Sequence, residues 1–138
     1  MPGPLAGQCV VVVGASSGMG RATALAAAAA GATVVVMARR KDALEALAGE
    51  IRTAGGAEPR LITVDATDAP AVERAFADAV QATGRLDAVV NSVGTNIARR
   101  SLGELTPESW SGMLADNLTA AFAITRAAVP LMRKDGGL

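Results

Sequence analysis

The sequence predicts an α/β fold in which a parallel β-sheet carries helices on its faces. Three observations predict it. Short β-branched or apolar runs alternate with helix-favouring segments along the whole chain. The connections are short, so successive elements pack beside one another. A glycine-rich turn joins the first run to the first helix.

Cys9–Val13 is a β-branched run ending at Gly14, the pattern of a strand covered on both faces. Small helix formers follow from Gly18 to Ala30, and Gly31 supplies the stop. Thr33–Met37 is a second apolar strand. Asp42–Ala54 sets Leu44, Leu47, Ala48 and Ile51 at helical spacing, and Gly55-Gly56 ends that helix. Leu61–Val64 is a third strand, closed by Asp65. Ala69–Ala82 carries Val72, Phe76, Ala79 and Val80 on one face, and Leu86–Val90 is the fourth strand. Thr106-Pro107-Glu108 opens the last helix with an N-cap, a first-position proline and an acid in the first turn. Its apolar stripe runs Trp110, Met113, Leu114, Leu118, Ala121, Phe122, Thr125 and Val129.

Composition narrows the function classes. The 138 residues fit a single domain, and 51% hydrophobic residues fill its core, although only 2% are aromatic. Thirteen basic and 13 acidic residues cancel, so no global field draws nucleic acid or an anionic membrane. The sole cysteine, Cys9, reads as a buried, inert thiol. There is no histidine, the commonest metal ligand, and no metal site is expected. The first eight residues lack the pattern of a signal peptide, and Gly31 and Thr33 interrupt the apolar stretch Ala22–Met37. A cytoplasmic protein is expected.

The turn Val13-Gly14-Ala15-Ser16-Ser17-Gly18-Met19-Gly20 leads from strand to helix. In that setting Gly14 permits a tight turn, Gly18 lets backbone approach a pyrophosphate, and Gly20 lets helix pack on strand. The helix start around Met19 presents free N–H groups and a partial positive charge to phosphates. Ser16 and Ser17 add hydroxyl donors. The glycines of a plain strand–helix turn would look much the same, but placement after the first strand of a βαβ unit favours a dinucleotide.

The second strand ends Met37-Ala38-Arg39-Arg40-Lys41. A Rossmann-type unit that binds NAD carries an acid near this point for the ribose 2′-hydroxyl. Ala38 stands there instead, followed by Arg39, whose guanidinium fork suits a 2′-phosphate, with Arg40 to assist. NADP(H) is therefore expected in preference to NAD(H). Read as an ordinary charge cluster, the same residues are a solvated helix start.

The spacing Gly-x-x-x-Gly-x-Gly resembles that of the short-chain dehydrogenase/reductase family, classical type. Asp65-Ala66-Thr67-Asp68 is similar to its acidic turn beside the adenine ring. Asn91-Ser92-Val93-Gly94 resembles its Asn-Asn-Ala-Gly segment, and Asn117-Leu118-Thr119 its Asn-Leu-Thr. Val13, where the family often has Thr, and Ser92-Val93 depart from the pattern. The likeness covers the chain as the family's N-terminal half. It implies a Rossmann-type doubly wound parallel sheet, truncated after the fourth strand–helix unit. Residues 1–138 then form one NADP(H)-binding domain, incomplete at its C-terminus.

The resemblance also implies roles. Asp65 and Ala66 would sit beside adenine, although Asp65 is also an ordinary strand-ending acid. Asn91 is a ligand or a sheet-bracing amide, and Gly94 allows close approach. Asn117, among apolar neighbours, is either an amide satisfied by nearby backbone or, as in the family, a residue holding a water in a proton relay. That relay needs a Ser and a Tyr-x-x-x-Lys; the sequence has no Tyr. Met132–Leu138 looks like the turn before a fifth strand.

The implied function is hydride transfer between NADP(H) and a small carbonyl or alcohol, with this chain supplying the cofactor-binding half of a homo-oligomeric oxidoreductase. The alternative is a genuinely short, non-catalytic dinucleotide-binding or interaction protein. Arg99 and Arg100 could face an anionic substrate or simply solvent.

Overall fold

All five residues of β1, Cys9–Val13, are buried, the consequence of a strand covered on both faces. The computed structural model describes residues 1–132. Around β1 lie β2 (Thr33–Ala38), β3 (Arg60–Thr63) and β4 (Ala88–Asn91), all parallel, in the order β3-β2-β1-β4. Val11 pairs with Val35 on one side and Val89 on the other.

Alternation along the strands divides the core in two. Val10, Val12, Val34 and Val36 point to the face covered by α1 (Gly18–Ala29) and α2 (Lys41–Thr53). Val11, Val13, Val35 and Met37 point to the face covered by α3 (Ala69–Thr83) and α5 (Ala120–Ala128). The sheet is doubly wound, as the sequence predicts. On α2 the four buried residues are Leu44, Leu47, Ala48 and Ile51, the expected stripe. On α3, Ala75 joins Val72, Phe76 and Ala79, while Val80 is only partly buried. Asp68 caps α3 through the Ala71 N–H, a contact worth about 1 kcal/mol.

The fourth strand begins later than the expected Leu86, because Arg85 and Asp87 serve as a brace. Asp87 takes a fork of two bonds from Arg85 and a third from the Cys9 N–H at 2.7 Å. β4 lies at an edge of the sheet and is only partly buried. Among the described residues no helix is long and apolar enough to cross a membrane.

The last helix corrects the expectation of one continuous element. It is α4 (Pro107–Leu114), a π turn over Ala115–Thr119, and then α5. The Ala120 N–H reaches back five residues to the Ala115 carbonyl. The buried stripe of α5 is Ala120, Ala123, Ile124, Ala127 and Ala128, not the apolar row read from the sequence. Of that row, Trp110, Leu114, Leu118, Phe122 and Val129 are exposed, Phe122 by 63%. Small alanines, not bulky residues, allow α5 to lie close to sheet and α3. The turn expected over Met132–Leu138 lies, apart from Met132, outside the described residues.

Candidate functional site: a cleft at the carboxyl edge of the sheet

Parallel strands bring all their C-terminal ends to one edge, and the glycine turn lies there. Gly14 adopts φ +81, and a Cβ built on Gly20 would fall 2.2 Å from the Gly14 carbonyl oxygen. Helix α1 can therefore start against the end of β1 only without a side chain at Gly20. Gly18 is different. It adopts φ +54, yet a Cβ there would meet no atom within 4 Å. The space above Gly18 is open.

Helix N-termini are treated unequally. Asp68 caps α3, and Thr106 caps α4 in a reciprocal pair with Ser109. Ser17, the N-cap of α1, makes no side-chain capping bond, and the first turn of α1 contains no acid. Its first N–H groups are left without a side-chain acceptor and carry a partial positive charge, an anion-binding arrangement.

Beside this turn lies a cleft of about 160 Å³. Gly14, Ser16, Ser17, Arg39, Asp65, Ala66 and Gly94, all expected site residues, line it. Gly18, Met19, Gly20, Arg40 and Asn91 do not. Gly18 and Met19 are exposed at the rim, Gly20 is buried behind the turn, and Arg40 is an exposed N-cap of α2. Val64 and Asp116 also line it and were not read as site residues from the sequence. The Asp116 signal was present in its spacing from Met113 and Ala120; the π turn that directs it was not.

The polar groups of the cleft are partly committed. Asp65 Oδ1 accepts from Thr67 N at 2.9 Å and Thr67 Oγ1 at 2.8 Å. Those bonds, with the Arg39 charge adding to them, hold its carboxyl below the usual range. Asn91 Oδ1 accepts from the Val93 N–H, bracing the turn after β4. Ala38 is buried and Arg39 exposed, with no ion pair to Arg39 among the described residues.

Asn117 is exposed and not buried among its apolar neighbours, and both ends of its amide are bonded. Its Oδ1 accepts from Thr95 N and its Nδ2 donates to the Thr95 and Met113 carbonyls. A Cβ on Gly94 would come within 3.1 Å of that Oδ1. Arg99 and Arg100 are exposed on the loop before α4.

A nicotinamide dinucleotide fits these residues. The uncapped α1 terminus and the open side of Gly18 suit a pyrophosphate, and the cleft between Asp65 and Gly94 continues from it.

Comparison with known proteins agrees with this geometry. Residues 8–138 match the profile of the family described as short chain dehydrogenase. A 3beta-hydroxysteroid dehydrogenase of Mediterraneibacter gnavus is 35% identical over 130 residues, covering 94% of this chain and 47% of that protein. The 2,5-dichloro-2,5-cyclohexadiene-1,4-diol dehydrogenase LinX of Sphingobium indicum is 37% identical, covering 99% of this chain and 54% of that protein. A dehydrogenase/reductase from Sinorhizobium meliloti superposes with a TM-score of 0.88 at 34% identity, over 96% of this chain and 52% of its own. The chain thus spans about half the length of the curated relatives it matches. It belongs to the short chain dehydrogenase family.

Proposed function

We propose that this chain is the NADP(H)-binding part of an oxidoreductase that moves hydride between NADP(H) and a small carbonyl or alcohol. The observation that carries the reading is the uncapped N-terminus of α1 with open space at Gly18, beside a cleft whose lining includes Ala38 and Arg39. The cofactor supplies the hydride chemistry, and these residues supply binding and orientation. Ser16, Ser17 and the α1 N–H groups hold the pyrophosphate. Ala38 offers no carboxylate to a ribose 2′-hydroxyl, and Arg39 offers a charged fork to a 2′-phosphate. Ala66 and Asp65 wall the adenine seat, and the Val93–Thr95 backbone, with Asn91 and Asn117 bracing it, forms the opposite wall.

The proton that accompanies the hydride needs an acid or base matched to the substrate oxygen. The 138 residues include no Tyr and no His, so the chain by itself is proposed to turn over no substrate. Asn117 then acts as a positioning residue. Self-association is proposed through the exposed ridge of Trp110, Leu114, Leu118 and Phe122, since apolar rows of this kind mark interaction surfaces.

Titration of NADPH and NADH tests the cofactor assignment. NADPH is expected to bind more tightly, and Arg39→Ala to weaken it by roughly tenfold to a hundredfold while sparing NADH. Equal affinities in the unmutated protein contradict it. A purified 138-residue chain that oxidises NADPH with an aldehyde or ketone, above a Gly18→Val control, contradicts the proposed inactivity.

A further inference from the structure

Two acids, Asp65 and Asp116, line the cleft, and among the described residues only Asp65 has hydrogen-bond partners on its side chain. Asp65 follows β3 and gives Oδ1 to both donors of Thr67. Asp116 lines the cleft with Val93, Gly94 and Thr95. It is half-buried, and no described residue donates a hydrogen bond or forms an ion pair with its carboxylate. A half-buried carboxylate with no protein partner is met by water, and a ligand N–H or O–H can take the place of that water.

Its placement is built by the fold. Met113, Asp116 and Ala120 follow one another on the inward side of the last helix, the first two half-buried and the third buried. The π turn Ala115–Thr119 adds a residue there, and π turns of this kind recur where a helix aims a side chain at a functional site. The amide of Asn117, the next residue, is clamped to Thr95, which holds this turn of the helix to the segment that follows β4. The remaining lining residues Ala38, Arg39, Val64, Asp65, Ala66 and Thr67 belong to the ends of β2 and β3. In a sheet of this order those ends take the adenosine half of a dinucleotide. The ligand is polyanionic, so a bare carboxylate beside it would repel; a carboxylate that accepts from an N–H or O–H of the nucleoside does not.

We propose that Asp116 accepts a hydrogen bond from the adenosine half of the dinucleotide, making it a specificity-determining residue of the cofactor cleft. The proposal rests on the cofactor reading given above. The donor is the adenine amino group or a ribose hydroxyl, and both would be read by the same acceptor.

The test uses Asp116→Ala and Asp116→Asn with calorimetric titration of NADPH, 2′,5′-ADP and nicotinamide mononucleotide. Asp116→Ala is expected to weaken NADPH and 2′,5′-ADP by about tenfold to a hundredfold, the worth of one charge-assisted bond, and to leave the mononucleotide unchanged. Asp116→Asn keeps an acceptor without the charge and is expected to fall between. Circular dichroism and melting of the Asn variant check that the fold is retained. Deamino-NADPH, with hypoxanthine for adenine, separates the donors: affinity unmoved by Asp116→Ala identifies the amino group, and equal weakening identifies the ribose. Affinities of Asp116→Ala for NADPH and 2′,5′-ADP at or above the unmutated values overturn the proposal. If the unmutated protein binds no dinucleotide, the cofactor reading falls with it; if it binds and Asp116→Ala is indifferent, only the role of Asp116 falls.

Discussion

The side-chain amide of Asn117 pairs with the backbone of Thr95 as a neighbouring strand would. Oδ1 accepts from Thr95 N and Nδ2 donates to the Thr95 carbonyl, both at 3.0 Å. One side chain thereby ties the segment after β4 to the helix beyond it, and a third bond to the Met113 carbonyl ties it to its own helix. The wall of the cleft from Val93 to Thr95 depends on this clamp.

Asn117→Ala is expected to loosen that wall more than it destabilises the protein. The site is exposed, so water replaces the lost partners and the cost is about 1–2 kcal/mol. Hydrogen exchange at the Thr95 amide should quicken markedly while the amides of β1 stay protected. Unchanged protection at Thr95 would show that the clamp does not hold the segment.

Gly20→Ala tests packing apart from binding. The new methyl would fall 2.2 Å from the Gly14 carbonyl oxygen, so α1 must shift off the strand end. Overpacking of this kind costs about 1–3 kcal/mol. Urea denaturation should show that loss in the midpoint; an unchanged midpoint would mean that the helix start is not packed as described.

Much of this architecture was legible in the sequence. β1 is an unbroken apolar run, β2 is one after Thr33, and the stripe of α2 is stated by its own spacing. The glycine turn and the Ala38-Arg39 pair were legible because they depend on local backbone and charge. The inward face of the last helix was not. Large apolar residues suggested one side, but a close sheet and α3 admit only alanines and Ile124. The π turn leaves no periodic signature, so the direction of Asp116 and the exposure of Asn117 were hidden with it. The later start of β4 was hidden too, because it depends on Arg85 and Asp87 bracing Cys9 across the sheet.

Cys9 gives a pH dependence with a definite sign. Burial pushes its thiol up, the Thr83 hydroxyl opposes this, and Asp87 adds to the rise. A thiol whose pKa is higher folded than unfolded keeps its full contribution to stability below the unfolded value, near about 8.5. Above that the unfolded chain loses its proton first, and stability falls as pH rises towards the folded value. Denaturation midpoints should decline in this alkaline range, and less so in Cys9→Ala measured against its own neutral-pH value. At neutral pH a thiol reagent should label Cys9 only after unfolding. Rapid labelling of the native protein would contradict its burial.

The glycine turn and the bare N-terminus of α1 are proposed to receive a dinucleotide. The deciding measurement is titration of NADPH into the unmutated protein and into Gly18→Val, followed by nicotinamide fluorescence. A Cβ at position 18 meets no atom within 4 Å, so the valine projects into the space proposed for the pyrophosphate, and its positive-φ backbone costs about 1–2 kcal/mol of stability. Saturable binding to the unmutated protein is expected, with its loss by about a hundredfold in the variant and circular dichroism nearly unchanged. Equal affinity in a folded Gly18→Val protein, or no binding to the unmutated one, would contradict it.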